Sequence, residues 1–273
     1  MTMKLTAVLT GVMLSATSAH ALTVTPSEDG NALANSILGA GVTINNVSYS
    51  GAELGASGSF SDGNSSGIGI DEGLILTSGE ASLAVGPNSS SSTTGAAEGE
   101  VTSLTIDFTT QTGDLFFNYV FASEEYNEFV NSDFNDTFDF LLSGPGIAGS
   151  QNIALIPGTS TAVEIDTVNN NVNSEFYNDN DADAGSPFDI EYDGFTDVFL
   201  ASATGLTIGE EYSISLIVSD IGDGAFDSAV FIQGGSFGGE EPEPNVIPVP
   251  ASLPLLLAGL GGLGILRRRN KSA

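Results

Sequence analysis

Two carboxylate-rich segments carry most of the chemistry open to this chain. In the first, Glu124, Glu125, Glu128, Asp133, Asn135, Asp136 and Asp139 crowd oxygen atoms between two apolar runs. In the second, Asp220, Asp223 and Asp227 alternate with Gly222 and Gly224, whose freedom of backbone lets a tight turn bring the acids together. Oxygen ligands at such density suit calcium, which takes about six to eight of them at about 2.3 to 2.6 Å. The candidate ligands are Glu125, Asp133, Asn135 and Asp136 from the first segment and Asp220, Asp223 and Asp227 from the second. The plainer alternatives are a solvated turn with Asx caps and a Gly-Asp hairpin loop. Two segments at the same end of the fold would build one site. Glu124 and Glu125 would face opposite ways on a continued strand, so at most one of them is expected in a given site. A third segment, 179–185, has the acid spacing of an EF-hand loop, but Ala184 stands where glycine belongs and Ile190 where a bidentate Glu is needed. It reads as an acidic loop.

The residue types that are missing exclude as much as the acids permit. The chain has no Cys and one His, His20, and no Lys or Arg lies between Lys4 and Arg267, whereas all 35 acids fall within 28–243. Serine–histidine triads, thiol nucleophiles and Schiff-base lysines are therefore absent from the body, as is a guanidinium clamp for phosphate. Zinc and copper lose their usual ligands, which leaves calcium as the cofactor to consider. Glycoside hydrolysis by a carboxylate pair about 5 to 9.5 Å apart survives this test. A net charge of −30 disfavours nucleic acid and anionic lipid as partners. Mutual repulsion within a Debye length of about 8 Å is expected to raise carboxylate pKa values in the folded body.

The basic residues sit in the two ends. Residues 1–21 combine Lys4, an apolar run over 5–14 and the small-residue cleavage site Ala19-His20-Ala21, the pattern of a secretory signal peptide. The mature chain then starts near Leu22. About ten apolar residues are too few to span a hydrocarbon core of roughly 30 Å, which argues against a permanent N-terminal anchor. At the other end, Ile247-Pro248-Val249-Pro250-Ala251 is followed by an apolar run over 252–266 and then by Arg267, Arg268, Arg269 and Lys271. A body outside and a cluster inside obey the positive-inside rule. The run is short and glycine-rich, suited to transient retention in the inner membrane, with a plain single-span anchor as the alternative. This tail resembles the PEP-CTERM sorting signals of Gram-negative bacteria, particularly the VPLPA variant, departing from it conservatively at Ile247 and Val249. The resemblance implies recognition of Pro248, Val249, Pro250 and Ala251 by an exosortase, an integral-membrane transpeptidase, after the export machinery has moved the chain. It also implies delivery to the cell surface or extracellular matrix.

Between the ends, 31–38 places Leu33 and Ile37 four apart and predicts one short helix. Elsewhere the period is two. Strands are predicted at 42–49, 74–77, 104–108, 115–121, 138–142, 153–156, 198–203, 212–218 and 229–233, separated by Gly, Asn, Asp and Ser. The fold class that follows is all-β, an antiparallel β-sandwich or jelly roll with one short N-terminal helix, flanked by the signal peptide and a C-terminal hydrophobic helix. A closed barrel is the runner-up. The division is a signal peptide over 1–21, a domain over 22–237, a Gly/Glu/Pro linker over 238–246 and a sorting signal over 247–273. Residues 88–94 read as a polar, flexible loop.

The segments FASEEYNEFVNSDFNDTFDFLLSGPG over 121–146 and VSDIGDGAFDSAVFIQGGSF over 218–237, with NIALIPGTS and DGFT between them, resemble the choice-of-anchor L domain over about 30–237. That resemblance implies a secreted, β-rich domain of surface proteins with no known reaction, and with the sorting signals and the missing catalytic residue types it leads to the expectation of a non-enzymatic protein. Adhesion or biofilm structure is the expected role. The alternatives are a calcium-dependent module for extracellular polysaccharide, with Tyr126 or Tyr177 stacking on a sugar, and a carboxylate-pair glycoside hydrolase.

Overall fold

The period-two segments become strands in the computed structural model, which describes residues 21–52, 55–88, 101–132, 136–220 and 226–243. In chain order they are β1 (Thr23–Pro26), α1 (Gly30–Ile37), β2 (Val42–Ser50), β3 (Ser57–Ser61), α2 (Gly63–Ser66), β4 (Gly73–Thr77), β5 (Val101–Thr110), β6 (Asp114–Ser123), β7 (Thr137–Ser143), β8 (Gln151–Asn152), β9 (Tyr177–Asp179), β10 (Gly194–Thr196), β11 (Phe199–Thr204), β12 (Glu211–Ser219) and β13 (Ser228–Gln233). One sheet runs β1-β3-β4-β13-β6-β10-β9, with β11 also paired to β6, and the other runs β2-β5-β12-β7-β8. Every strand pair is antiparallel, and the two sheets form a β-sandwich rather than a closed barrel.

The second sheet is one-sided. Leu216 of β12 lies between Leu104 of β5 and Phe140 of β7, and all three face inward, while Thr105 and Ser215 share a 2.9 Å hydroxyl contact on the outer face. The first sheet is covered on both faces. Its inner face contributes Leu74, Leu76, Tyr119, Phe121, Val230 and Ile232 to the core between the sheets. Its outer face carries Phe60, Ile75, Val120 and Phe231 into a second core with Ile68, Tyr192 and Phe195. Burial on both faces explains why 74–76 and 229–232 are continuous apolar runs instead of alternating ones.

The helix α1 forms where the spacing predicts it. Asp29 caps it, its Oδ1 accepting from Asn31 N at 3.0 Å and Ala32 N at 3.1 Å, and Leu33, Ala34 and Ile37 are its buried face.

The strand expected over 153–156 does not form. The ladder with β7 ends at Asn152 apart from a last bond from Ile153 N to Phe140 O at 3.0 Å, and an isolated bridge Leu155↔Ala162 follows. Asn152 Oδ1 accepts from Phe140 N at 3.0 Å and Ala154 N at 2.9 Å while Nδ2 donates to Asp139 Oδ1 at 2.6 Å. The side chain takes the ladder's place, and Ile153 and Ile156 turn into the core.

The expected signal peptide over 1–21 except Ala21, most of the loop over 88–94, and the C-terminal hydrophobic helix with its sorting motif and basic cluster lie outside the described residues. No helix among the described residues is long and apolar enough to cross a membrane.

Candidate functional site

Both acidic segments leave the same end of the sandwich. Ser123 closes β6 opposite Ser228, which opens β13, and Ser219 closes β12 opposite Thr137, which opens β7. The β6–β7 and β12–β13 connections therefore cross side by side from one sheet to the other. The end of β4 joins them, since Ser78 N donates to Ser228 O at 2.9 Å and Ser228 N to Ser78 Oγ at 2.9 Å.

Hydroxyls and backbone amides knit this end together. Ser228 Oγ donates to Ser123 Oγ at 2.8 Å, and Ser123 Oγ accepts from Glu125 N at 3.0 Å. Glu124 N donates to Asp227 O at 3.1 Å, and Asp136 N donates to Glu125 Oε2 at 3.1 Å. At Gly79 a Cβ would fall 1.8 Å from Oδ2 of Asp227, so a residue without a side chain lets the backbone pass beside that carboxylate. Phe226 holds a left-handed φ of 69° next to Asp227, with its ring 4.8 Å from that of Phe129. A bulky residue rarely adopts that backbone, which places strain beside the acids.

The acids are buried together. Glu124, Glu125, Asp136 and Asp220 are each 1% exposed and Asp227 is 2% exposed. No Lys, Arg or His occurs among the described residues, so no basic side chain from the body offsets their charge. Tyr192 lies nearby. Burial pushes its hydroxyl well up, against a hydrogen bond with Thr77, and the charges of Asp227, Glu124 and Glu191 push it further.

Of the candidate calcium ligands, Glu125, Asp136, Asp220 and Asp227 share this end, whereas Asp133, Asn135 and Asp223 lie outside the described residues. Among the described residues alone, no three Asp, Glu or His side chains are grouped as a metal site. The strand β6 ends at Ser123, and beyond it both acids are buried, Glu125 bonded to Asp136 N and Glu124 close to Tyr192.

Tyr126 is unsuited to sugar stacking: it is 0% exposed and its hydroxyl donates to Val168 O at 2.9 Å. Tyr177 packs on it with ring centroids 4.8 Å apart and donates to Asn127 Oδ1 at 3.0 Å.

A further buried acid, Asp193, was not singled out from the sequence. It is 5% exposed and accepts from Asn88 Nδ2 at 2.5 Å. Burial raises its pKa to about 7, the Asn88 hydrogen bond opposes the rise, and Asp181, Glu128 and Glu191 add to it. The loop that follows β9 is held by Asn180, whose Nδ2 donates to Ile190 O at 3.1 Å and Tyr192 O at 2.9 Å and whose Oδ1 accepts from Phe188 N at 2.9 Å. In the sequence this region stood out as the acidic loop over 179–185 and the DGFT segment over 193–196, and neither singled out Asp193.

The family model of the Choice-of-anchor L domain matches residues 21–238. No curated protein matches the chain, and no solved structure does.

Proposed function

The chain belongs to the choice-of-anchor L family and is an exported surface protein, and from that premise we propose that its role is structural, in adhesion or biofilm architecture. The observation that carries the proposal is the inventory of the folded body. Its described residues hold abundant oxygen ligands but no His, Cys, Lys or Arg, the types that familiar nucleophilic and phosphate chemistry needs. In this reading the leader is removed at Ala19-His20-Ala21. The C-terminal segment then holds the chain transiently in the inner membrane, and an exosortase-type transpeptidase acts at Pro248, Val249, Pro250 and Ala251. The basic cluster Arg267, Arg268 and Arg269 leaves with the tail. Mass spectrometry of the protein from its own cells should find a mature N-terminus near Leu22 and a C-terminus near the Pro motif. An intact end through Ala273 would overturn the processing step.

The burial of five carboxylates at one end favours a second, compatible reading, in which calcium orders the two acidic connections and can present a coordination position to polysaccharide hydroxyls. Taking a charge out of water costs several kcal/mol per ion, and a divalent cation that these carboxylates shared with backbone carbonyls would offset that cost. Ligand at 100 times its dissociation constant should stabilise the fold by about 2.7 kcal/mol. Identical melting curves in calcium and in EDTA would remove this reading while leaving the surface role standing.

A further inference from the structure

A hydroxyl-rich cleft of about 480 Å³ opens at the other end of the first sheet. Strands β4 and β13 pair from Gly73↔Gln233 to Thr77↔Ala229, the cleft lies beyond the first pair and the acidic end beyond the second. The two ends are therefore separated by roughly 13 Å of strand, at about 3.3 Å per residue.

The cleft is built by strand alternation. In β1, Thr23 and Thr25 face one way and Val24 the other, and in β3 their register partners Ser61 and Ser59 face the same way as the threonines. Val24 and Phe60 meanwhile pack in or against the outer core. The result is two cross-strand hydroxyl pairs side by side on one face. Ser36 of α1 and the exposed Glu72 complete the polar wall.

Two of these hydroxyls are already oriented. Thr23 Oγ1 and Ser61 Oγ each donate to Asp62 Oδ2 at 3.3 Å, which turns their lone pairs outward as acceptors. Thr25 and Ser59 are exposed and make no side-chain hydrogen bond among the described residues. Gly235, at a φ of +70°, has nothing within 4 Å of where a Cβ would stand, so the cleft is open above the backbone there.

This lining selects a class of ligand. Pockets for apolar molecules are lined mainly by apolar and aromatic side chains, whereas this one joins hydroxyls, a carboxylate and glycine backbone to the single ring of Phe60. No basic residue is present to hold an anion, and the body's charge repels one. Glu72 is the one carboxylate in the lining, and Asp62 beside it is engaged by Thr23 and Ser61, a poor cage for a cation that takes about six to eight oxygens. What remains complementary is a neutral molecule carrying several hydroxyls, each able to donate to Glu72 and to accept from or donate to Thr and Ser. We infer that this cleft binds one or two rings of a neutral polysaccharide, without a metal ion. The inference deepens the adhesion reading and rests on it for where such a polymer would be met.

The experiment titrates the processed protein, purified from its own cells, with cellotetraose, maltotetraose and chitotetraose, with tetragalacturonate as the anionic control, by calorimetry in calcium and in EDTA. At least one neutral tetramer should bind, equally in both buffers, and tetragalacturonate should not. The double substitution Thr25→Val and Ser59→Ala, at exposed positions where the fold tolerates change, should weaken binding at least tenfold with an unchanged melting temperature. The single substitution Glu72→Gln should weaken it independently. Failure of all three neutral tetramers, binding that EDTA abolishes, or binding indifferent to these substitutions would each overturn the inference. Protease shaving of intact cells tests the surface role separately, so a protein that is shaved from the surface but binds no saccharide fails here alone.

Discussion

Oε2 of Glu125 accepts the backbone N–H of Asp136 at 3.1 Å, so a side chain just past the end of β6 holds the residue just before β7. Both residues are 1% exposed. Replacing Glu125 by Ala leaves that buried N–H without this acceptor, an expected cost of about 1 to 3 kcal/mol. Gln keeps an oxygen in place and should cost less. Urea unfolding of E125A and E125Q, compared at equal slope, checks the ranking, and equal losses would mean that the hydrogen bond is not what matters.

Asp220 follows the Ser219↔Thr137 pair and so sits beside Asp136 at the acidic end. Its removal should change sign with calcium. In EDTA, Asp220→Asn takes one negative charge from a crowded, buried set and should raise the melting temperature. In calcium the same change deletes a ligand and should shrink the calcium-induced gain. Differential scanning fluorimetry in both buffers reads the two signs, and a variant that gains equally in each speaks against a calcium role for Asp220.

For Asp193 the direction of the pH effect is set by a folded pKa of about 7, above the usual carboxylate value near 3.8. The folded state then binds the proton more tightly than the unfolded chain. The stability this contributes is complete below about pH 3.8 and is lost as pH rises through about 7. Asp139 is raised in the same direction by burial, against its hydrogen bond with Asn152. Melting temperatures from pH 5 to 8 should fall with rising pH, and Asp193→Asn should flatten the slope. The sequence led to an expectation of mutual repulsion as the cause, whereas burial is the largest contribution for both residues.

The one-sided sheet was legible because Tyr212, Ile214, Leu216 and Val218 alternate with polar residues, and a period of two says which face is dry. The second core was not. Leu74-Ile75-Leu76 identifies a strand but is silent about which segments cover its outer face, and that cover comes from Ile68, Ile190 and Tyr192, far apart in sequence. Strand β3 escaped notice because SGSFS offers a single large apolar residue, Phe60. The acidic residues were identifiable, and their convergence rests on the pairings Ser123↔Ser228 and Ser219↔Thr137, which local composition does not encode. Tyr126 was read as exposed because acids flank it, but the chain turns inward after Ser123 and carries its ring into the core.

Tyr119 carries a polar atom into the centre of that core. It is 0% exposed, its hydroxyl has no hydrogen-bond partner among the described residues, and Phe138, Phe140 and Phe199 surround the ring. Burial accordingly pushes its pKa up. An unsatisfied buried hydroxyl costs about 1 to 3 kcal/mol, so Tyr119→Phe should be neutral or stabilising by about 1 kcal/mol. Chemical denaturation decides it, and a clear loss would mean that the hydroxyl has a partner in solution.

Where the folded body ends can be argued from Phe237. Its ring is fully buried, with centroids 5.5 Å from Phe108 and 5.6 Å from Phe117. Its backbone is held as well, since Phe237 N donates to Ile37 O and Gly39 N to Phe237 O, both at 2.8 Å. The pairing continues through Gly238, which exchanges bonds of 2.8 and 3.0 Å with Phe116, and Gly239 N donates to Ala40 O at 2.8 Å. Gly239 lies against Thr112, where a Cβ would meet Oγ1 at 2.4 Å, so even the last paired position is sterically committed. Replacing Phe237 by Ala should therefore cost about 3 to 5 kcal/mol by leaving a cavity beside two rings. A chain from Leu22 that ends after Gly239 should melt like the longer protein, whereas one that ends after Gln233 should lose cooperative unfolding. Circular dichroism melts of the two truncations separate these cases, and a cooperative, unshifted melt of the shorter one would show that the sandwich closes without this last segment.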